Sequence, residues 1–204
     1  MGYTKLPRST LWLVEGGTYT FQQKPTTPVQ EITIASFYMG KTPITNEQYE
    51  AYDSHYQRSS YSPGNDDPAI HISLADARAY CDWYKTQAKK LIRLPTLWEW
   101  QYACLGGILK EQHIVKINDP QAFWHEGNSQ GQAQTVEKKL ANLIGLHDML
   151  GNVWEWVTVK DVPFTRVCGG SYRVPATLID AYLQKDVDPD VRLDDVGFRI
   201  VRSL

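Results

Sequence analysis

GLHDMLGNVWEWV, residues 145–157, ends in Trp-Glu-Trp-Val, and aromatic and β-branched residues at that density favour a strand, read over 151–159 with Trp-Val-Thr-Val as its core. Two later segments carry the same signal: 166–172, and 196–201 with its Phe-Arg-Ile-Val run. Upstream, RLPTLWEWQYACLGG (93–107) predicts a helix over 97–104, opened after Pro95 and closed by Gly106-Gly107. Trp-Glu-Trp thus occurs twice, at 98–100 and 154–156, once on a helix and once on a strand or turn, so it marks no structural repeat.

Three helix starts share one chemistry. Thr45 with Gln48, Ser73 with Asp76, and Thr96 with Glu99 each place a hydroxyl three residues before an acid or amide, the capping box that satisfies first-turn amide donors. The middle helix, 74–88, sets Leu74, Ala77, Cys81 and Tyr84 inward, with Asp76, Arg78, Asp82 and Lys85 facing water. Before these helices, LWLVEGGTYTF (11–21) reads as two short strands joined by a tight turn at Gly16-Gly17. Residues 31–39 read as one strand alternating Ile32, Ile34 and Phe37. Two stretches lack periodicity: about 40 residues after the third helix, and 173–195 with its six aspartates. Irregular segments of that length in a compact domain are functional or are held by something other than regular structure.

The chain reads as one domain over 1–204: 42% hydrophobic and 22% charged residues suit a globular core. Seven Trp and twelve Tyr predict many buried rings whose polar tips need partners. A net charge of -2 and a pI near 6.2 argue against nucleic acid as a partner. Leu11 to Val14 is too short for a signal peptide's apolar region, and no stretch suits a membrane span. Three widely spaced cysteines, Cys81, Cys104 and Cys168, suggest free thiols and a cytoplasmic location. The five histidines (His55, His71, His113, His125, His147) form no metal-binding spacing, and no GxSxG nucleophile motif occurs.

Five segments in order resemble one family. FYMGKTPITNEQYEAY (37–52), SLADARAYCDWY (73–84), RLPTLWEWQYACLGG (93–107), GLHDMLGNVWEWV (145–157), and GGSY (169–172) closed by VGFRIV (196–201) are similar to the formylglycine-generating-enzyme or sulfatase-modifying-factor domain. With GGTYTF near the start, the likeness covers almost the whole chain. It implies an α+β domain with little regular structure and a C-type-lectin-like organisation. In the oxidising members two cysteines shortly after GGS bind copper(I), because soft thiolates select that ion. Those positions fall here on Val174 and Ile179, and no cysteine follows Cys168, so the likeness implies no copper site. Cys81 and Cys104 match half-cystines of secreted members whose partner positions hold no cysteine here, and Cys168 matches a non-catalytic position.

The family often binds calcium beside GNVWEW. The corresponding ligands are the Asp148 and Glu155 carboxylates and the carbonyls of Gly151 and Val153, oxygen donors that suit a hard cation. The alternative is that Asp148 caps a turn and Glu155 pairs with an arginine such as Arg199. The family's substrate peptide binds in the region matching 173–195, where Leu178, Ile179, Tyr182 and Leu183 are interleaved with acids. That segment also resembles the variable cassette of lectin-fold proteins diversified by retroelements, which would vary Val174, Leu178, Leu183, Val187, Val191, Leu193, Asp194 and Asp195. An ordinary divergent loop is the competing reading. With Tyr172, Arg173 and Asp186, these residues form the expected ligand-binding face for a protein or peptide.

The leading expectation is a non-catalytic binding or display module. Against it stand a sulfatase-modifying-type oxidoreductase or accessory subunit with a non-standard site, and an accessory domain belonging to a larger chain.

Overall fold

A computed structural model describes residues 10–21, 29–107, 119–159 and 165–204. The N-terminal residues 1–9 and His113 lie outside these ranges. Among the described residues, ten strands and three α-helices run in the order β1 (Leu11–Val14), β2 (Gly17–Phe21), β3 (Gln30–Ile34), β4 (Phe37–Gly40), α1 (Asn46–Glu50), α2 (Leu74–Ala88), β5 (Ile92–Arg93), α3 (Leu97–Cys104), β6 (Trp154–Val157), β7 (Thr165–Cys168), β8 (Gln184–Val187), β9 (Val196–Gly197) and β10 (Val201–Ser203). Modest helix, short strands and long irregular connections make this an α+β fold.

All three helices begin with the capping box expected of them. The hydroxyls of Thr45, Ser73 and Thr96 accept from the backbone of Gln48, Asp76 and Glu99, and each of those side chains returns the bond. On α2, Leu74, Ala77, Cys81 and Tyr84 are buried as their spacing requires, and Tyr80 joins them. Its end is set by Lys89 in the left-handed region, φ 51°.

The strands pair less locally than the sequence suggests. β1 and β2 form no hairpin: β1 pairs antiparallel with β4, and β2 with β3. A Cβ at Gly16 would run into the backbone of Ile34, so this glycine is a corner pressed against a neighbouring strand rather than a two-residue turn. The predicted strand 31–39 accordingly breaks at Ala35-Ser36 into β3 and β4, which serve different sheets. The predicted strand 196–201 also divides. β9 pairs parallel with β6, whereas β10 crosses to lie between β4 and β5. Residues 184–187, expected to be irregular, form β8 against β7; Gln-Lys-Asp-Val carries almost no strand signal because pairing, not burial, holds it there.

The order of the last sheet is β8-β7-β6-β9, and every residue of its inner strand β6 is buried. Trp156 enters a core shared with Tyr80, Phe198 and Ile200, while Val157 enters a second core with Trp100, Cys104 and Cys168. This two-sided burial explains the unbroken apolar and aromatic character of the segment. Among the described residues no helix is long and apolar enough to cross a membrane.

Candidate functional site

The chain's two glycine-bearing motifs are bound to each other. Gly151 donates its N–H to the carbonyl of Gly169 at 2.8 Å, and φ is 68° at Gly151 and 94° at Gly169. A Cβ on Gly151 would collide with the Trp124 carbonyl oxygen, so the site admits only glycine. Asn152, fully buried, stitches three further segments: its N–H donates to Trp124, its carbonyl accepts from Tyr172, and its amide exchanges two bonds with Gln134. The start of the expected binding loop is thereby fixed to the irregular segment 119–153.

Beside this junction lies a buried ion pair. Arg199 (0% side-chain exposure) meets Glu155 (1%) through Nε to Oε2 and Nη2 to Oε1, both 2.8 Å. Trp100 Nε1 donates to the same Oε2 at 2.7 Å. The remaining Arg199 donors go to the carbonyls of Gly40, Lys41, His147 and Asp148. Glu155 thus pairs with Arg199, as the alternative to a pure metal-ligand role required. A carboxylate offers about four lone-pair positions, and these three bonds leave room for one more on Oε1. Asp148 sits in the same corner with φ 53° and accepts from the Glu137 N–H at 2.9 Å. Burial pushes its carboxyl up to about 6, against the pull of that hydrogen bond and of Arg199. Glu155 meets the guanidinium through its carboxylate and Asp148 through its backbone carbonyl, and both side chains offer the oxygen donors that a hard cation takes. Among the described residues no three His, Cys, Asp or Glu side chains converge for a metal, so a cation here would lean on backbone carbonyls such as those of Gly151 and Val153.

The loop 172–195 is pinned at several points. Tyr172 and Ile179 are buried, which removes both from the expected contact face: Tyr172 donates to the Asp194 carbonyl, and Ile179 packs on Gly170. Val174, Leu183, Val187 and Leu193 are half-buried against the Tyr80–Trp156 core. Backbone bonds from His71 to Leu193 and from Leu74 to Pro189, with the Arg192–Asp76 ion pair, tie the far end to the start of α2. Asp186 is paired with Arg166 across β7–β8. Leu178 (59% exposed) projects to solvent, Tyr182 is 43% exposed with its hydroxyl turned toward the buried Tyr19, Arg173 is exposed, and Val191, Asp194 and Asp195 are half-exposed. A cavity of about 560 Å³ lies elsewhere, lined by Trp12, Leu13, Ile144 and their neighbours and by no residue of this loop.

The donor set after GGS does not fit copper(I). Val174 and Ile179 offer hydrocarbon, and the three thiols are all buried. Burial pushes Cys81 up to about 12 and raises Cys104 and Cys168 well beyond the ordinary thiol range, so the thiolate form that binds soft metals is suppressed.

Tyr61 and Ser59 are the site residues that sequence reasoning missed. They come from the irregular segment between α1 and α2, and only the fold brings them to Tyr172, Arg173 and Asp194.

The chain matches the sulfatase-modifying factor enzyme 1-like domain over residues 3–204. It is 38% identical over 106 residues to the formylglycine-generating enzyme of Mus musculus, covering 45% of this chain and 27% of that protein. It spans about a quarter of the length of the curated relatives it matches first. PvdO from Pseudomonas aeruginosa shares its fold with a TM-score of 0.83 at 18% identity, over 96% of this chain and 98% of the other. Treponema denticola variable protein 1 does so with a TM-score of 0.77 at 18% identity, over 94% of each chain.

Proposed function

This chain belongs to the sulfatase-modifying factor enzyme 1-like domain family, and we propose that it is a non-catalytic member that binds a protein or peptide partner through the loop 172–195. The observation that carries the reading is the fate of that loop. The two positions that would hold copper carry Val174 and Ile179, yet the loop is still tied to β7, α2 and the segment 119–153 and still presents Leu178, Tyr182 and Arg173 to solvent. A pinned backbone with a few exposed anchors lowers the entropy cost of binding. The half-burial of Val174, Leu183, Val187 and Leu193 favours a fixed loop over a diversified one, because residues varied freely at these positions would disturb the core. Sequences of clones from one population test this: differences confined to the positions named above would favour diversification.

The enzyme alternative makes an opposite prediction. Copper(I) titration and oxygen uptake with a cysteine-containing peptide are expected to give neither stoichiometric metal nor turnover; both together would overturn the reading. The binding face is tested by Leu178→Asp, which touches little of the core. A partner retained by the native chain should be lost by this variant at an unchanged melting temperature.

Calcium at Asp148, the carbonyls of Gly151 and Val153, and Glu155 would have a structural role, balancing the surplus negative charge of that corner. The expected result is a melting temperature raised by calcium and lowered by chelator; identical values would remove the ion from the proposal. The free thiols fit a reducing compartment.

A further inference from the structure

Several arginines of the chain spend their donors on carboxylates or carbonyls. Arg58 and Arg93 each grip a glutamate with two nitrogens, Arg192 holds both oxygens of Asp76, and Arg199 is saturated. Arg173 is held differently. Its guanidinium carbon lies 4.7 Å from the Tyr61 ring centroid and 5.2 Å from that of Tyr172, and the two rings stack at 6.3 Å with 26° between their planes. Nε donates to the Tyr172 hydroxyl at 3.0 Å, which orients the fork. Nη2 reaches only a loose contact, 3.9 Å, with Asp194, and Nη1 has no partner among the described residues. Asp194 is held back because its side chain accepts from Ser59 and its carbonyl from Tyr172. The result is a permanent cation, already ordered by two aromatic faces, whose outer donors meet only the loose Asp194 contact and whose side chain is 47% exposed.

We propose that Arg173, backed by Tyr61 and Tyr172, anchors the partner by taking a carboxylate from an Asp or Glu side chain of a peptide. This rests on the reading of 172–195 as a binding face. A planar carboxylate matches the two outer nitrogens of the fork. Its single charge also matters: Asp194 shares the guanidinium, so a doubly charged phosphate meets more repulsion than a carboxylate does. The aromatic backing removes most of the side-chain entropy that an exposed arginine would otherwise lose on binding.

The test uses the full chain labelled with ¹⁵N and follows the Arg173 Nε–H signal, assigned by its disappearance in Arg173→Lys. The probes are the capped tripeptides acetyl-Gly-Glu-Gly-amide and acetyl-Gly-Gln-Gly-amide, and inorganic phosphate. The Glu peptide is expected to shift the signal saturably with a Kd of about 1–10 mM, and the Gln peptide and phosphate at least about tenfold more weakly. Tyr61→Ala should weaken the Glu peptide several-fold without changing the melting temperature. Equal response to all three probes, or a silent guanidinium, overturns the proposal. If the backbone amides of 178–183 move while the guanidinium stays silent, the loop binds by another anchor. That outcome separates failure of this inference from failure of the binding reading, which the Leu178→Asp comparison tests on its own.

Discussion

Arg199 illustrates what a single residue contributes when every donor is used. Its guanidinium joins β4, the segment around His147-Asp148 and β6, three parts of the chain distant in sequence. Removing one member of a buried pair strands the other as an uncompensated charge, at a cost of about 3–5 kcal/mol. Arg199→Met and Glu155→Gln are both expected to destabilise the protein, the arginine change more, because it also orphans four backbone carbonyls. The double variant Arg199→Met/Glu155→Gln should lose less than the sum of the two single losses, since neither charge is then left alone. Urea denaturation of the four proteins measures this directly. Additive losses would mean that the pair is not the unit it looks to be. The sequence hinted at this pair as an alternative for Glu155, but the six-oxygen shell around Arg199 depends on backbone carbonyls, which no side-chain pattern reports.

At the level of elements, what could be read in advance follows from how far apart the cooperating residues lie. A capping box spans four residues, so its chemistry is visible in the sequence, and α2 and α3 fall at their predicted bounds. The GGS and GNVWEW motifs were legible for a similar reason: each is a short backbone requirement. Strand partners are chosen by distant segments, and there the reading failed. Nothing in VGFRIV discloses that β9 and β10 belong to different sheets, and nothing in QKDV discloses β8. Likewise, Tyr61 reached the candidate site only through folding. The cap of α3 gives a pH-dependent prediction. Burial acts to raise the Glu99 pKa, but hydrogen bonds from Arg93 and from the Thr96 backbone and hydroxyl outweigh it and hold it below the usual carboxylate value. A depressed folded-state pKa means that the unfolded chain binds the proton more readily, so this stabilisation is fully present above the ordinary glutamate pKa and is lost as pH falls through the folded one. Glu99→Gln keeps the capping pattern and loses the charge. It should cost on the order of 1 kcal/mol at pH 7, with the gap to the native protein closing as pH drops below about 4. A gap that widens in acid would contradict the assignment.

For the whole molecule, the three thiols report how the two cores communicate. Cys104 and Cys168 belong to the core built on Trp100 and Val157, and Cys81 to the one built on Tyr80 and Trp156. β6 and the entry to β10 send successive side chains into both, Trp156 and Val157 from β6, and Ile200 just before β10 with Val201 at its start, so neither core can open far without exposing the other. Because all three cysteines are buried with their pKa values raised, a thiol reagent should find none of them in the native state at neutral pH. Labelling then requires opening, and its dependence on denaturant identifies the size of the opening. If the shared strands bind the cores into one cooperative unit, Cys81, Cys104 and Cys168 become reactive at the same urea concentration, coincident with the loss of tryptophan fluorescence. Mass spectrometry of each labelled cysteine distinguishes this from earlier labelling of Cys81, which would show that α2 and its core unfold separately. The distinction bears on the proposed function, since the far end of the loop 172–195 is tied to α2 at Asp76 and Leu74. In a single cooperative unit, the binding face keeps its shape for as long as the protein stays folded.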